Sequence, residues 1–268
     1  MYDLGYSRPA TLAEALELLQ QDDMAQPLSG GQTLMPVLRA RLAAPSQLVD
    51  IARLDDLRQI RPIDGGIEIG AGMTHAEVAA HPVVRAALPA LAALAGGIGD
   101  AQIRHRGTIG GSIANNDPAA CYPSAALALG ARVQTNLRIL DAEAFFAGMF
   151  ATALEPGEIV TAVQFPACAE ACYLKFRNPA SRFALVGVFA ARLGSEHRIA
   201  ITGGGNGVFR WHAAEQHLDR GAEIDSLDAV PLDLVNFTGD IHGSADYRLH
   251  VAKVITRRAL MQMAGKLT

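Results

Sequence analysis

The stretch Arg106-Gly-Thr-Ile-Gly-Gly-Ser-Ile-Ala-Asn-Asn-Asp-Pro118 decides how the rest of the chain is read. It gathers Gly107, Gly110 and Gly111, the hydroxyls of Thr108 and Ser112, two asparagines and Asp117. Glycine lets a backbone approach a ligand closely. Thr and Ser hydroxyls donate to phosphate oxygens, and Asp117 can accept from a ribose hydroxyl. The interleaved Ile109, Ile113 and Ala114 have the character of buried anchors. A polar, glycine-rich loop threaded with apolar anchors, too long for a tight turn, points to a preformed ligand site.

Two other glycine clusters flank it. Ser29-Gly-Gly-Gln-Thr33 lies between a short apolar segment and a helix predicted over 34–42. It reads either as a plain turn or as an anion site built from backbone amides and the Thr33 hydroxyl. Gly203-Gly-Gly-Asn-Gly207 lies between two strand candidates and reads as a hairpin turn. Standard signatures fail. Gly203 and Gly205 are followed by Val208 where GxGxxG needs glycine, and Lys266 is followed by Leu267, which excludes a P-loop. Gly110-Gly-Ser-Ile-Ala114 misses the hydrolase elbow at its last position. His212 and His217 are five apart, a poor ligand spacing on a helix, so no metal site is expected.

Around these clusters the chain reads as α+β. Thr11 to Glu14 is a capping-box pattern before Leu12, Leu16 and Leu19. Short strands are predicted over 47–51, 66–70 and 132–135, with helices over 74–80, 82–94 and 124–129. A strand over 159–165 leads to a boundary near 166–171. Three strands follow at 172–176, 185–192 and 198–202, and the chain ends in a helix over 247–263. The expected organisation is a mixed region followed by an antiparallel sheet with helices.

Composition narrows the function. The 268 residues carry 23 Lys+Arg against 27 Asp+Glu, a net charge of −4, with 50% apolar residues. A nucleic-acid partner would favour a basic excess. No apolar run reaches the ~20 residues of a membrane span, and residues 1–4 lack a signal-peptide pattern, so the cytoplasm is the expected compartment. Cys121, Cys168 and Cys172 form no CxxC, which excludes a disulfide framework, a four-Cys zinc site and a self-contained iron–sulfur cluster. Each reads as a small buried hydrophobe. Lysine occurs only at 175, 253 and 266. Lys175, in Tyr173-Leu-Lys-Phe176, reads either as a solvent-facing strand residue or as a cation beside a cofactor.

Taken together, Ser29-Gly-Gly-Gln-Thr-Leu-Met-Pro36 and Arg106 to Pro118 resemble the two FAD loops of the FAD-binding medium subunits of molybdenum hydroxylases, the carbon monoxide and xanthine dehydrogenase family. Lys175 to Phe183 and Thr202 to Arg210 resemble that family's C-terminal domain, and the likeness runs from Tyr6 to about Ala259. It implies a two-part FAD-binding domain of the vanillyl-alcohol oxidase (PCMH) type over 1–168, with subdomains of about 1–54 and 55–168. A small domain of antiparallel strands and helices would follow over 169–268.

The resemblance further implies that Ser29, Gly30, Gly31, Gln32, Thr33 and Leu34 hold the FAD diphosphate from one side. Thr108, Ile109, Gly110, Gly111 and Ser112 would hold it from the other, with Asp117 near the ribityl or diphosphate region and Asn115 also among the cofactor-binding residues. Glu158 and Ile159 would sit at the adenine end and Lys175 near the flavin ring. A Gly loop can surround a dianion with N–H donors, which fits the lack of Lys and Arg within residues 29–36 and 107–118. An ammonium near the flavin stabilises its reduced, anionic form. No residue is assigned an acid–base role. Gln32 stands where many relatives carry His, and Phe183 where others carry Tyr.

The implied role is electron transfer. A large molybdopterin subunit would oxidise substrate, a small subunit would carry [2Fe–2S] clusters, and the assembly would be a dimer of heterotrimers. A stand-alone flavin reductase of the same superfold, or a flavin-less scaffold, would be the alternatives.

Overall fold

The computed structural model describes residues 2–266. Met1, Leu267 and Thr268, at the outer ends of the two expected units, lie outside the described residues.

The chain begins with a small parallel sheet in which Gln47–Asp50 lies between Gly5–Ser7 and Gln26–Leu28. The helix Leu12–Gln21 covers it. Thr11 caps that helix by accepting from Glu14 N at 3.2 Å, while the Glu14 carboxylate accepts from Ala10 N. Ala15, Leu19, Val49 and Ile51 form its core. The second sheet is antiparallel, in the order Ile60–Ile63, Gly66–Gly70, Val160–Pro166, Arg132–Thr135, Ile139–Asp141. Along Gly66–Gly70 the inward residues Ile67 and Ile69 are buried, as a period of two requires.

Helices pack on this sheet. His75–Ala80 opens with a complete Thr74/Glu77 capping box. The helix expected over 82–94 is two helices, Pro82–Ala87 and Pro89–Gly96. Leu88 takes φ −145° and ψ 68°, because a residue before proline is pushed out of the α region. The apolar helix Tyr122–Leu129 is buried along its whole length.

The last sheet is antiparallel, in the order Ala171–Arg177, Ala184–Leu193, Glu196–Thr202, Phe209–Arg210. Residues 203–208 connect its last two strands, as the glycine run predicts. On one face Phe189, Ala191 and Ala200 join the main core. On the other, Val186, Val188 and Ile201 pack under the helix Ala245–Met263. Thr202 Oγ1 donates to the carbonyls of Pro118 (2.7 Å) and Ala120 (2.8 Å), and Gly203 N donates to Pro118 O. These bonds fasten residues 118–120 to the C-terminal sheet.

Candidate cofactor site

A cleft of ≈ 450 Å³ lies where the three sheets approach one another. Residues 29–34, 158–160 and 181–183 line it, with Lys175 and most of the segment 107–117, from which Ile109, Ile113 and Asn116 turn away. Every candidate residue named from the sequence lines this cleft except Ile109, which is fully buried in the core behind the wall.

The two glycine segments touch. Ser29 Oγ lies 3.0 Å from Thr108 Oγ1. At Gly30 an added Cβ would fall 2.3 Å from Arg106 O and 2.7 Å from Gly107 Cα, so only glycine permits the approach. The backbone N–H groups of Gly30, Gly31, Gln32 and Thr33 donate to no acceptor among the described residues. Thr33 precedes the helix Leu34–Arg39 without capping it, which leaves its hydroxyl unused.

The second segment differs from the open loop expected of it: residues 109–115 form a short helix. Thr108 is its N-cap and accepts from Gly111 N at 3.2 Å. Ile109 N donates to Met73 O and Gly110 N to Ala71 O. A Cβ on Gly110 would lie 2.4 Å from Ala71 Cβ. Those two amides are therefore spent on the neighbouring chain, and the uncommitted donors belong mainly to residues 30–33. Asn116, in the left-handed region at φ 42°, ends the helix and donates to the carbonyls of Gly148 and Ala151.

Asp117 Oδ1 accepts from Ala119 N at 2.8 Å. Burial raises its carboxyl above the usual range, and the Ala119 N–H offsets this only in part. Glu158 is fully engaged. Oε1 accepts from Thr135 Oγ1 (2.6 Å) and Arg138 Nε (3.0 Å), and Oε2 from an Arg138 guanidinium N–H and Glu155 N, both at 2.9 Å. Burial pushes this carboxyl up, but the Arg138 and Thr135 bonds, the Glu155 N–H and the Arg138 charge together hold it below the usual range. Glu158 thus shapes its end of the cleft by fixing two turns.

Lys175 is half-buried, and its Nζ donates to Cys121 Sγ at 3.5 Å. Lys175 thus lies on the cleft wall and not on a fully solvent-facing strand surface. Next to it, Asn178 organises the corner 178–183: its Oδ1 accepts from Ala180 N and Ser181 N, and its N–H donates to Phe183 O. Phe183 is left 48% exposed on the cleft wall.

Two wall residues were not singled out from the sequence. His75 is 5% exposed, and its Nδ1 has no partner. Burial, then the nearby Arg104, lowers it to about 4, so the imidazole is neutral at pH 7. Cys121 is a free thiol in the wall rather than only a core hydrophobe. An isolated His or Cys carries no spacing signal; only the capping box at Thr74 pointed near His75.

The donor set fits FAD. The free amides of residues 30–33 and the Thr33 hydroxyl suit a diphosphate, Asp117 suits a hydroxyl, and Ile98, Ile103, Leu154 and Val160 supply apolar wall. Comparison with known proteins agrees. The family model described as FAD binding domain in molybdopterin dehydrogenase matches residues 2–168. The nicotine 6-hydroxylase medium subunit of Paenarthrobacter nicotinovorans is 31% identical, over 98% of each chain. The carbon monoxide dehydrogenase medium chain of Hydrogenophaga pseudoflava is 32% identical, over 95% of each. Quinoline 2-oxidoreductase from Pseudomonas putida 86 superposes with a TM-score of 0.89 at 28% identity, covering 100% of this chain and 99% of the other. The chain belongs to the FAD-binding medium subunits of the molybdenum-hydroxylase family of oxidoreductases, and its cofactor is FAD.

Proposed function

We propose that this chain is the electron-transfer subunit of a molybdenum hydroxylase, taking electrons from [2Fe–2S] clusters of a small partner subunit and passing them to an external acceptor. A large molybdopterin subunit completes the assembly, a dimer of heterotrimers in the cytoplasm, where the three thiols stay reduced. The observation that carries the reading is the run of four uncommitted N–H groups at 30–33, lining the same cleft as Lys175.

In this reading the PCMH-type layout is retained, with units over 1–168 (about 1–54 and 55–168) and 169–268. The amides of Gly30, Gly31, Gln32 and Thr33, with the Ser29 hydroxyl, hold the diphosphate, and Leu34 backs them. Thr108, Gly110, Gly111 and Ser112 close the opposite side, with Ile109 as their anchor in the core. Asn115 and Asp117 accept or donate at the sugar hydroxyls. Glu158 and Ile159 bound the adenine end. Bound FAD supplies the exchange of electrons singly or in pairs. Lys175 places a positive charge beside the ring and stabilises negative charge there. The protein supplies binding, orientation and electrostatics, and no acid–base pair is required of it.

An absorption spectrum of the purified complex, and of the isolated chain after FAD addition and desalting, tests the proposal. Retained flavin, released as FAD and not FMN on denaturation, is the expected result. A complex without flavin overturns it. Flavin without copurifying molybdenum and iron–sulfur subunits would indicate the stand-alone enzyme.

A further inference from the structure

The Lys175 ammonium has one hydrogen-bond partner among the described residues, and it is a thiol. Among the described residues no carboxylate lies within ion-pair distance of it. Across the sheet its neighbour is Gly187, which offers no side chain to lean on. A Cβ there would sit 2.8 Å from Tyr173 Oη, so the space beside Lys175 is taken by the Tyr173 phenol from the same strand face. Tyr173 is half-buried, and its hydroxyl oxygen is buried without a hydrogen-bond partner among the described residues. Burial and the adjacent Cys121 thiol push it well above its ordinary value. Lys175 therefore reaches Cys121 past the Tyr173 phenol.

The thiol itself is fixed by the backbone. Pro118 and Ala120 are bonded to Thr202, and Ser124 Oγ donates to Cys121 O at 2.8 Å. Cys121 is only 5% exposed. A long lysine side chain has many rotamers and needs a fixed point to hold one geometry. A thiol is a weak acceptor. It can orient an ammonium while leaving its charge unneutralised, which a carboxylate in the same place would not do.

We infer that Cys121 is a positioning residue that holds the Lys175 ammonium in the cleft with its charge directed at the bound flavin. The inference rests on the FAD reading above. Cys121 acts through Lys175, so its effect on the flavin should vanish when the ammonium is absent.

The test is a double-mutant cycle on the flavin midpoint potential, read by spectroelectrochemistry in the assembled complex. The four proteins are wild type, Cys121→Ala, Lys175→Met and the double variant, with FAD content measured on each. Cys121→Ala should lower the potential in the wild-type background and leave it unchanged in the Lys175→Met background. Cys121→Ser, which keeps an uncharged acceptor at that position, should restore most of the potential; its failure to do so overturns the inference. Equal shifts in both backgrounds, or no shift in either, with FAD fully retained, also overturn it while leaving the FAD reading intact. A wild-type complex without flavin overturns the FAD reading itself.

Discussion

Ser29 Oγ and Thr108 Oγ1 stand 3.0 Å apart, although 79 positions separate them in the chain. This one contact joins the parallel sheet's loop to the helix that follows Gly107. Thr108 also caps that helix through Gly111 N, so its oxygen serves two loops. Ser29→Ala should cost about 0.5–1 kcal/mol of stability, the net worth of a typical hydrogen bond. Thr108→Val should cost more, about 1–2 kcal/mol, because the cap is lost too. A denaturation double-mutant cycle should return a coupling of about 1 kcal/mol between them. A coupling near zero would mean the loops are held by other contacts.

Gly30→Ala tests the approach of the loops directly. Its Cβ would meet Arg106 O at 2.3 Å, a backbone atom with no rotamer to relieve the clash. Forcing the loops apart should cost about 1–3 kcal/mol and move the free amides of residues 30–33. FAD titration should show at least a tenfold loss of affinity, and the melting temperature should fall. Affinity equal to wild type would remove the first loop from the diphosphate site.

The main sheets were legible because their strands alternate or form short apolar runs: Ile67 and Ile69 turn inward, and the run over 184–191 is buried as a unit. The strands Gly5–Ser7 and Gln26–Leu28 were not. Each has three residues, mostly exposed, and exists only because Gln47–Asp50 lies between them. The short helix at 109–115 was hidden for a different reason. Two glycines weaken helix propensity by about 1 kcal/mol each. Here Met73 and Ala71 accept the first amides, and Gly110 packs on Ala71 where no side chain would fit. In the cleft, the glycine loops were legible from composition. Cys121 was not, because its partner Lys175 lies 54 positions away.

Glu158 gives the structure an acid-sensitive point. Its folded carboxyl lies below the usual range, so it stabilises the fold above its unfolded value, about 4.3. That stability is lost as pH falls through the lower folded value. Glu158→Gln should remove part of this dependence and cost about 1–3 kcal/mol at pH 7, the worth of hydrogen bonds to a charged group. Urea melts at pH 3 to 7 should show the variant and wild type converging at the acid end. Parallel curves would assign the acid sensitivity to other carboxylates.

Asp117 should respond with the opposite sign. Its folded carboxyl is raised by burial, so ionisation at neutral pH opposes folding, and the opposition grows as pH rises through the folded value. Asp117→Asn keeps the shape and removes the charge. It also keeps a side-chain oxygen able to accept from Ala119 N. The flavin-free variant should therefore melt higher than wild type at pH 7, and the difference should shrink toward pH 3. Flavin binding should move the other way, because a carboxylate accepts from a sugar hydroxyl more strongly than an amide does. Losing about 1.4 kcal/mol there means about tenfold weaker FAD binding. Higher thermal stability with weaker FAD affinity is the pair of results that places Asp117 in the cofactor site. Higher stability with unchanged affinity would make it a strained wall residue and nothing more.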